Sequence, residues 1–118
     1  MNILFRTSAG SSYGWGNLYR ILTIFYDLKK KLKFDYFFLV NGNYQVKRYL
    51  KKLNIQSIVE ENFDTNIDHN FLINKKFEIL IIETPLCNLK LMNYYNKFIN
   101  KIIVLDDVLK FKYNCDVL

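Results

Sequence analysis

Short apolar runs alternate with amphipathic segments along the whole of this 118-residue chain. The apolar runs predict strands over residues 2–7, 35–40, 55–59, 77–82 and 102–105, and residues 115–118 resemble the start of another strand. Apolar residues at helical spacing predict helices over residues 17–32, 44–53 and 89–98. Residues 64–73 are polar and irregular, with Asp64 or Thr65 available to cap a short helix. Alternation of strand and helix predicts one α/β domain over residues 1–118, a Rossmann-like, doubly wound and mostly parallel sheet.

The first two helices each have one apolar face. In the first helix the inward positions are Leu18, Ile21, Leu22, Phe25, Leu28 and Leu32, and in the second they are Val46, Tyr49, Leu50 and Leu53.

Ligands of doubly wound parallel sheets bind beyond the carboxyl ends of the strands. We therefore expect the functional site among residues 7–16, 41–43, 83–85 and 106–107.

The loop after the first strand is the most informative segment, because a strand leads through a Gly- and Ser-rich turn into a helix. Free backbone N–H groups at such a helix start favour an anion, usually a phosphate. Gly14 and Gly16 let the backbone approach a ligand closely, and Asn17 is suited to the N-cap of the helix. The dinucleotide-binding fingerprint is incomplete, because Tyr19 occupies the position of its third glycine.

Composition describes a globular protein, with 51% hydrophobic and 24% charged residues. No apolar run approaches the roughly 20 residues needed to span a bilayer, and Arg6 follows an apolar stretch too short for a signal peptide. We therefore expect a cytoplasmic protein without membrane contact. Cys87 and Cys115 match no metal-binding spacing and are expected to be reduced, partly buried thiols. His69 lies in a polar stretch and is expected at the surface.

The net charge of +6 also suggests a nucleic-acid binder. We expect this function less, because 14 of the 17 basic residues are lysines and the abundant residue types share AT-rich codons. The densest basic run, 29–31 with Lys33, lies at a helix end, where cations offset the helix dipole. No aromatic and basic residues interleave on one predicted face, as single-stranded nucleic acids would require.

The first loop resembles the start of a known enzyme family, the UDP-2,4-diacetamido-2,4,6-trideoxy-β-L-altropyranose hydrolases of pseudaminic acid biosynthesis. These enzymes are similar to the peptidoglycan N-acetylglucosaminyltransferase and share its GT-B fold. The matching positions in the first loop are Arg6, Ser11, Gly14, Gly16 and Arg20. Residues 77–82, 105–107 and 115–118 resemble later family segments. The resemblance implies that this chain is equivalent to the N-terminal half of a GT-B enzyme.

The resemblance also implies site residues and a reaction, the hydrolysis of a glycosyl–phosphate bond that releases UDP. Asn17 occupies the position of the family histidine, Ser8 that of an aspartate, and Glu83-Thr84 that of Asp-His. Asn17 cannot accept a proton, although its carbonyl can orient a water or a hydroxyl. The substrate-binding positions implied are Arg6, Ser11, Gly14, Gly16, Arg20, Glu83, Asp106 and Asp107. No metal and no cofactor are expected, because Asp106 and Asp107 lack a companion ligand.

Several of these residues also have a structural interpretation. Arg6 either pairs with Asp106 or Asp107 or contacts the sugar, and Arg20 is expected to pair with a carboxylate. Tyr13 and Trp15 either stack on a sugar ring or bury against a partner.

The expected function is that of a truncated or split relative of the UDP-sugar hydrolase, one that binds the sugar-diphosphate side of a UDP-sugar. A second Rossmann-like domain, which holds the uridine in the family, would come from another subunit, and association into a homo-oligomer is the other expected partnership. Whether the chain is an enzyme by itself stays open at this stage. The alternatives are a non-catalytic module that binds a sugar nucleotide or a protein and, third, a basic nucleic-acid binder.

Overall fold

A computed structural model describes residues 1–61, 75–84, 89–105 and 116–117. It contains a six-stranded sheet in which every pair of neighbouring strands is parallel. The strands are β1 (Asn2–Ser8), β2 (Asp35–Asn41), β3 (Ser57–Glu60), β4 (Ile79–Glu83), β5 (Lys101–Val104) and β6 (Asp116–Val117). The helices among the described residues are α1 (Gly16–Lys31), α2 (Tyr44–Lys52) and α3 (Leu89–Asn96). The predicted Rossmann-like α/β fold is confirmed.

Strand order fixes where a ligand crevice can open. The order across the sheet is β3-β2-β1-β4-β5-β6, so the chain first builds outward from β1 on one side and then returns to its other side. In open α/β sheets the crevice opens where this order reverses, at the carboxyl ends of the strands. That point lies between β1 and β4, where Thr7 is in register with Glu83.

Helices cover both faces of the sheet, which makes it doubly wound. We call the side that packs on α1 and α2 the α1/α2 face and the side that packs on α3 the α3 face. The core of the α1/α2 face includes Ile3, Phe5, Leu18, Ile21, Phe25, Phe38, Val46 and Leu50. The core of the α3 face includes Leu4, Leu39, Leu80, Ile82, Leu91, Met92, Tyr95 and Ile102. Side chains that alternate along buried strands supply both cores.

Two strands begin later than the apolar pattern predicts. Ile55 and Phe77 are buried in the core, but strand pairing begins only at Ser57 and Ile79. An apolar run therefore marks where side chains enter the core, and the inter-strand hydrogen bonds begin one residue later, at Gln56 and Glu78. Helix α3 ends at Asn96, also short of the predicted boundary.

The inward position predicted for Leu32 is wrong. Helix α1 ends at Lys31, and Leu32 follows it as an extended C-cap residue with ψ of 150°. The helical spacing no longer applies there, so the side chain of Leu32 is 48% exposed. The other predicted positions of the first two helices are buried or packed against the core.

Some predicted features lie outside the described residues. These are the short helix over 64–73, His69, Cys87, Cys115, and the two aspartates Asp106 and Asp107. In the part of the chain that is described, none of the helices has the length and apolar content that a bilayer crossing requires.

Candidate functional site

The loop between β1 and α1 is a small closed structure. Gly10 and Gly14 exchange two backbone hydrogen bonds, of 3.0 and 2.7 Å, so that residues 11–13 form the tip. Both glycines have positive φ, +106° and +74°, which side-chain-bearing residues rarely adopt. A Cβ at Gly10 would also lie 3.3 Å from side-chain atoms of Asn43 and Val46, whereas one at Gly14 would meet nothing within 4 Å. Gly10 is thus required for packing, and Gly14 opens onto free space.

Helix α1 begins without a side-chain cap. Trp15 is the N-cap residue and makes no side-chain cap hydrogen bond, and the first turn contains no acidic residue. The predicted role of Asn17 as N-cap is therefore wrong. Trp15 already has helical φ and ψ, and its carbonyl accepts from the N–H of Tyr19 at 3.0 Å, so the helix starts before Asn17. The first-turn N–H groups have no intrahelical acceptor and carry partial positive charge.

Two hydroxyl groups meet across the point where the strand order reverses. Ser8 is the last residue of β1 and is fully buried, and Thr84 follows β4 directly. Their hydroxyl oxygens, Oγ and Oγ1, are 2.8 Å apart. The pair therefore places two neutral hydrogen-bonding groups at this point of the sheet edge.

An ion pair joins α1 to the end of β4. Arg20 Nη1 lies 2.9 Å from Glu83 Oε1, with the side chain of Glu83 only 5% exposed and that of Arg20 46% exposed. This geometry agrees with the expectation that Arg20 pairs with a carboxylate. Thr7, in register with Glu83, is fully buried, and no described residue makes a hydrogen bond to its Oγ1.

Arg6 lies inside the sheet on the α3 face and is only 2% exposed. Its Nε donates to Tyr95 Oη at 3.2 Å, and its Nη1 donates to the carbonyls of Thr7 and Leu39 at 2.9 and 3.3 Å. Its Nη2 donates to Asn41 Oδ1. The guanidinium therefore ties β1 to β2 and to α3. The predicted partners Asp106 and Asp107 lie outside the described residues.

A polar pocket of about 280 Å³ lies beside the first loop, and we call it the strand-end pocket. Its lining residues are Ala9, Ser11, Ser12, Tyr13, Gly42, Asn43 and Glu61. A Cβ at Gly42 would lie 3.0 Å from the side chain of Val46, so the turn after β2 needs glycine to pass this close to α2. Among the described residues of the predicted site, only Ser11 lines this pocket, while Arg20 and Glu83 pair with each other between α1 and β4.

Sequence reasoning missed the roles of two residues, although it placed residues 41–43 at the expected site. Asn43 is the N-cap of α2, and its Oδ1 accepts from the N–H of Val46 at 3.2 Å. An asparagine directly before a helical pattern is a recognisable cap signal. Tyr95, the partner of Arg6, is fully buried on α3. A tyrosine on an apolar helix face was the available signal there, because a buried hydroxyl usually has a partner.

Trp15 turns toward α2. Its ring stacks on that of Tyr19, with centroids 6.0 Å apart, and meets the ring of Tyr49 edge-on at 5.5 Å. Trp15 is half-buried and packs against the core of the α1/α2 face. Of these two aromatic residues, Tyr13 lines the strand-end pocket, while Trp15 packs toward α2.

A second concave surface, of about 590 Å³, runs along α2, and we call it the α2 groove. Its lining residues are Trp15, Tyr44, Gln45, Arg48, Tyr49, Lys51 and Lys52. Aromatic and basic side chains therefore do interleave on one face, so the prediction that no face combines them is wrong. Burial raises the pKa of the Tyr49 hydroxyl, and the nearby Tyr19 and Tyr26 raise it further.

Within the described ranges, no group of three or more His, Cys, Asp or Glu residues is placed to hold a metal ion.

Comparison with known proteins adds no relative, because no family model, curated protein or solved structure matches the chain.

Proposed function

We propose that this chain binds a sugar nucleotide at the carboxyl ends of its strands. The diphosphate lies at the start of α1, next to β1 and β4, and the sugar lies in the strand-end pocket, next to β1, β2 and β3. We also propose that the chain is a relative of the UDP-sugar hydrolases that its first loop resembles. The observation that carries it is the uncapped start of α1 at the point where the strand order reverses. Fold and loop sequence point to the same place.

The start of α1 suits a phosphate. Its first-turn N–H groups need acceptors, and the helix dipole favours a negative charge there. A Cβ at Gly16 would meet nothing within 4 Å, so the first residue of the helix leaves its side open to a ligand. No acidic residue of the first turn opposes an anion.

The strand-end pocket suits a sugar ring. Ser11, Ser12, Asn43 and Glu61 together supply hydroxyl, amide and carboxylate groups, which match sugar hydroxyls as donors and acceptors. A volume of about 280 Å³ falls just below the range of whole-ligand pockets, roughly 300–1,000 Å³. We infer that the pocket takes the sugar and that the nucleoside is contacted by a second subunit or a second copy of the chain.

The proposal assigns binding without turnover to this chain alone. Asn17 stands at the position of the family histidine and is the second residue of α1. Its amide cannot take a proton from water, and a positioned general base is worth about 10²–10⁴ in rate. Asn17→His alone is expected to leave hydrolysis negligible, because the uridine contacts would still be missing.

The decisive experiment is calorimetric titration of the chain with UDP-N-acetylglucosamine, UDP and inorganic diphosphate. Asn17→Asp places a carboxylate in the first turn of α1, where it favours the helix but repels a phosphate. We expect this variant to melt no lower than the parent and to bind each ligand at least fivefold more weakly. Lys30→Gln is the matched control, because it changes the net charge by the same amount at the other end of α1.

Binding of none of the three ligands by the parent chain would overturn the proposal. Equal weakening by Asn17→Asp and Lys30→Gln would also contradict it, because the effect would then come from net charge. Release of UDP from the sugar nucleotide by the unaltered chain would contradict the claim of binding without turnover.

A further inference from the structure

The α2 groove combines cations with aromatic rings on one side of one helix. Tyr44, Arg48 and Lys52 follow one another at intervals of four residues along α2. At a rise of about 1.5 Å per residue they form a stripe about 12 Å long. Tyr49 and Trp15 line the groove beside this stripe.

Charge along this helix has a single sign. Helix α2 carries four basic residues and no acidic one, and none of the described residues that line the groove is acidic. Two of the cations, Lys51 and Lys52, lie in the last turn, where the helix dipole alone accounts for them. Arg48 has no such explanation, because it lies in the middle of the helix.

The second basic run of the chain shows what a purely structural arrangement looks like. In the last turn of α1, Lys29 Nζ lies 5.3 and 5.9 Å from the ring centroids of Phe25 and Tyr36. Phe25 is buried, so it offers no ring to solvent. At the α2 groove, by contrast, Tyr44 is 69% exposed and the adjoining Tyr19 is 51% exposed.

Exposed rings among cations match one ligand chemistry in particular. Arg48 Cζ lies 5.8 Å from the ring centroid of Tyr44, which aligns the aromatic side chain and leaves most of its surface accessible. Unstacked bases pack on aromatic rings, and phosphates pair with neighbouring cations. Acidic peptides would use the cations but not the ring faces.

We propose that the α2 groove binds a short segment of single-stranded nucleic acid. Bases stack on Tyr44 and Trp15, and the phosphates between them pair with Arg48, Lys51 and Lys52. Ring stacking and charge pairing involve no base edges, so the groove accepts many sequences. This site is separate from the strand-end pocket and does not depend on the proposed sugar-nucleotide function.

Fluorescence anisotropy of a labelled twelve-nucleotide oligo(dT) tests the proposal on the full chain. If the groove neutralises three phosphates, the logarithm of the association constant should fall with log[salt] with a slope of about −2. Binding is expected to quench the fluorescence of Trp15, the only tryptophan. UDP-N-acetylglucosamine should leave oligo(dT) in place, which separates this site from the proposed sugar-nucleotide site.

Two matched pairs of variants locate the site. Tyr44→Ala should weaken oligo(dT) binding by about 5- to 150-fold, the range for the loss of one stacked base, while Tyr44→Phe should bind like the parent. The double variant Arg48→Gln, Lys52→Gln should weaken binding at least tenfold. Its control, Lys30→Gln with Lys31→Gln, removes the same charge from the end of α1 and should change affinity less than twofold. Circular dichroism melts confirm that each variant is folded.

Three outcomes would overturn the proposal. Duplex DNA binding as tightly as oligo(dT) would exclude base stacking. Displacement of oligo(dT) by poly-glutamate at an equal concentration of charge would show a simple cationic surface. Equal losses in the two double variants would place the binding outside the groove.

Discussion

The two faces of the sheet are built on different principles, although the same strands supply both. On the α1/α2 face, Phe5, Phe25 and Phe38 pack with ring centroids 4.7–5.3 Å apart. On the α3 face the core is mainly aliphatic, and the buried guanidinium of Arg6 donates to Tyr95 and Asn41. Strand β1 contributes side chains to both faces, because successive residues of a strand point to opposite sides of the sheet.

The difference lies in what each face must satisfy. Rings gain from area and from edge-to-face or offset geometry, about 0.5–1.5 kcal/mol per pair beyond burial, and need no polar partner. A buried guanidinium is stable only when its donors are satisfied. Arg6 therefore fixes the positions of Asn41 and Tyr95, whereas the ring cluster tolerates adjustment. The α3 face should be the more sensitive to single changes near the carboxyl ends of the strands.

Arg6→Met should have the largest effect, because it keeps a long side chain but leaves the buried oxygens of Asn41 and Tyr95 without this donor. We expect a loss of about 3–5 kcal/mol in the free energy of unfolding. Urea unfolding followed by circular dichroism measures it. Arg48→Met, at the surface of α2, is the control and should change stability by less than about 0.5 kcal/mol. A loss below 1 kcal/mol for Arg6→Met would mean that the guanidinium does not hold this face together.

Phe25→Leu should rank second. It removes ring contacts to Phe5, Phe38 and Tyr36 and leaves a partly filled space, at a cost of about 2–3 kcal/mol. Leu22→Met nearly conserves the side-chain volume at a buried position on the same helix, and it should cost less than about 1.5 kcal/mol. The same unfolding measurement compares them, and equal losses would show that ring geometry adds nothing here.

Tyr95→Phe should cost about 1–2 kcal/mol, because it removes one acceptor from Arg6. The cost should fall to near zero in an Arg6→Met background, where the donor is gone. A double-mutant cycle of unfolding free energies measures this coupling. Additive losses would contradict a direct interaction between the two side chains.

The smallest expected effect is on the pH dependence of stability, and it comes from Tyr49 on the α1/α2 face. Because burial raises the pKa of Tyr49 above 10, ionisation is harder in the folded chain than in the unfolded one. Stability from this group is fully present below pH 10 and is lost as the pH rises through the raised value. Thermal melts between pH 8 and 11 should therefore show a smaller decline for Tyr49→Phe than for the parent. Identical declines would contradict the raised pKa.

Much of the fold could be predicted because burial leaves a periodic trace in the sequence. Apolar runs located β1, β2, β4 and β5 within one or two residues, and helical spacing located α1 and α2. Their parallel, doubly wound arrangement followed from the order of elements. Boundaries were less accurate, since the run that contains Ile55 enters the core before pairing begins.

The candidate site was only partly predictable. The glycines of the first loop and the charge of Arg20 were visible, and the pairing of Arg20 with a carboxylate followed from chemistry. The choice of Glu83 as that partner depends on two elements more than sixty residues apart in sequence. The N-cap of α1 was predicted at the wrong residue. Asn17 has a side chain suited to capping, but the loop closes through the hydrogen bonds between Gly10 and Gly14, and the helix starts before Asn17.

Local periodicity is sufficient to define the elements, their order and the apolar faces that pack them. Which polar groups meet depends on tertiary packing: the burial of Arg6 against Tyr95, the pocket among the loops that follow β1, β2 and β3, and the groove where Trp15 reaches α2. Such contacts join residues from different elements, and their distances depend on how helices pack against the sheet. The aromatic and basic residues of the α2 groove were all visible in the sequence, but their shared surface exists only once α1 and α2 lie side by side.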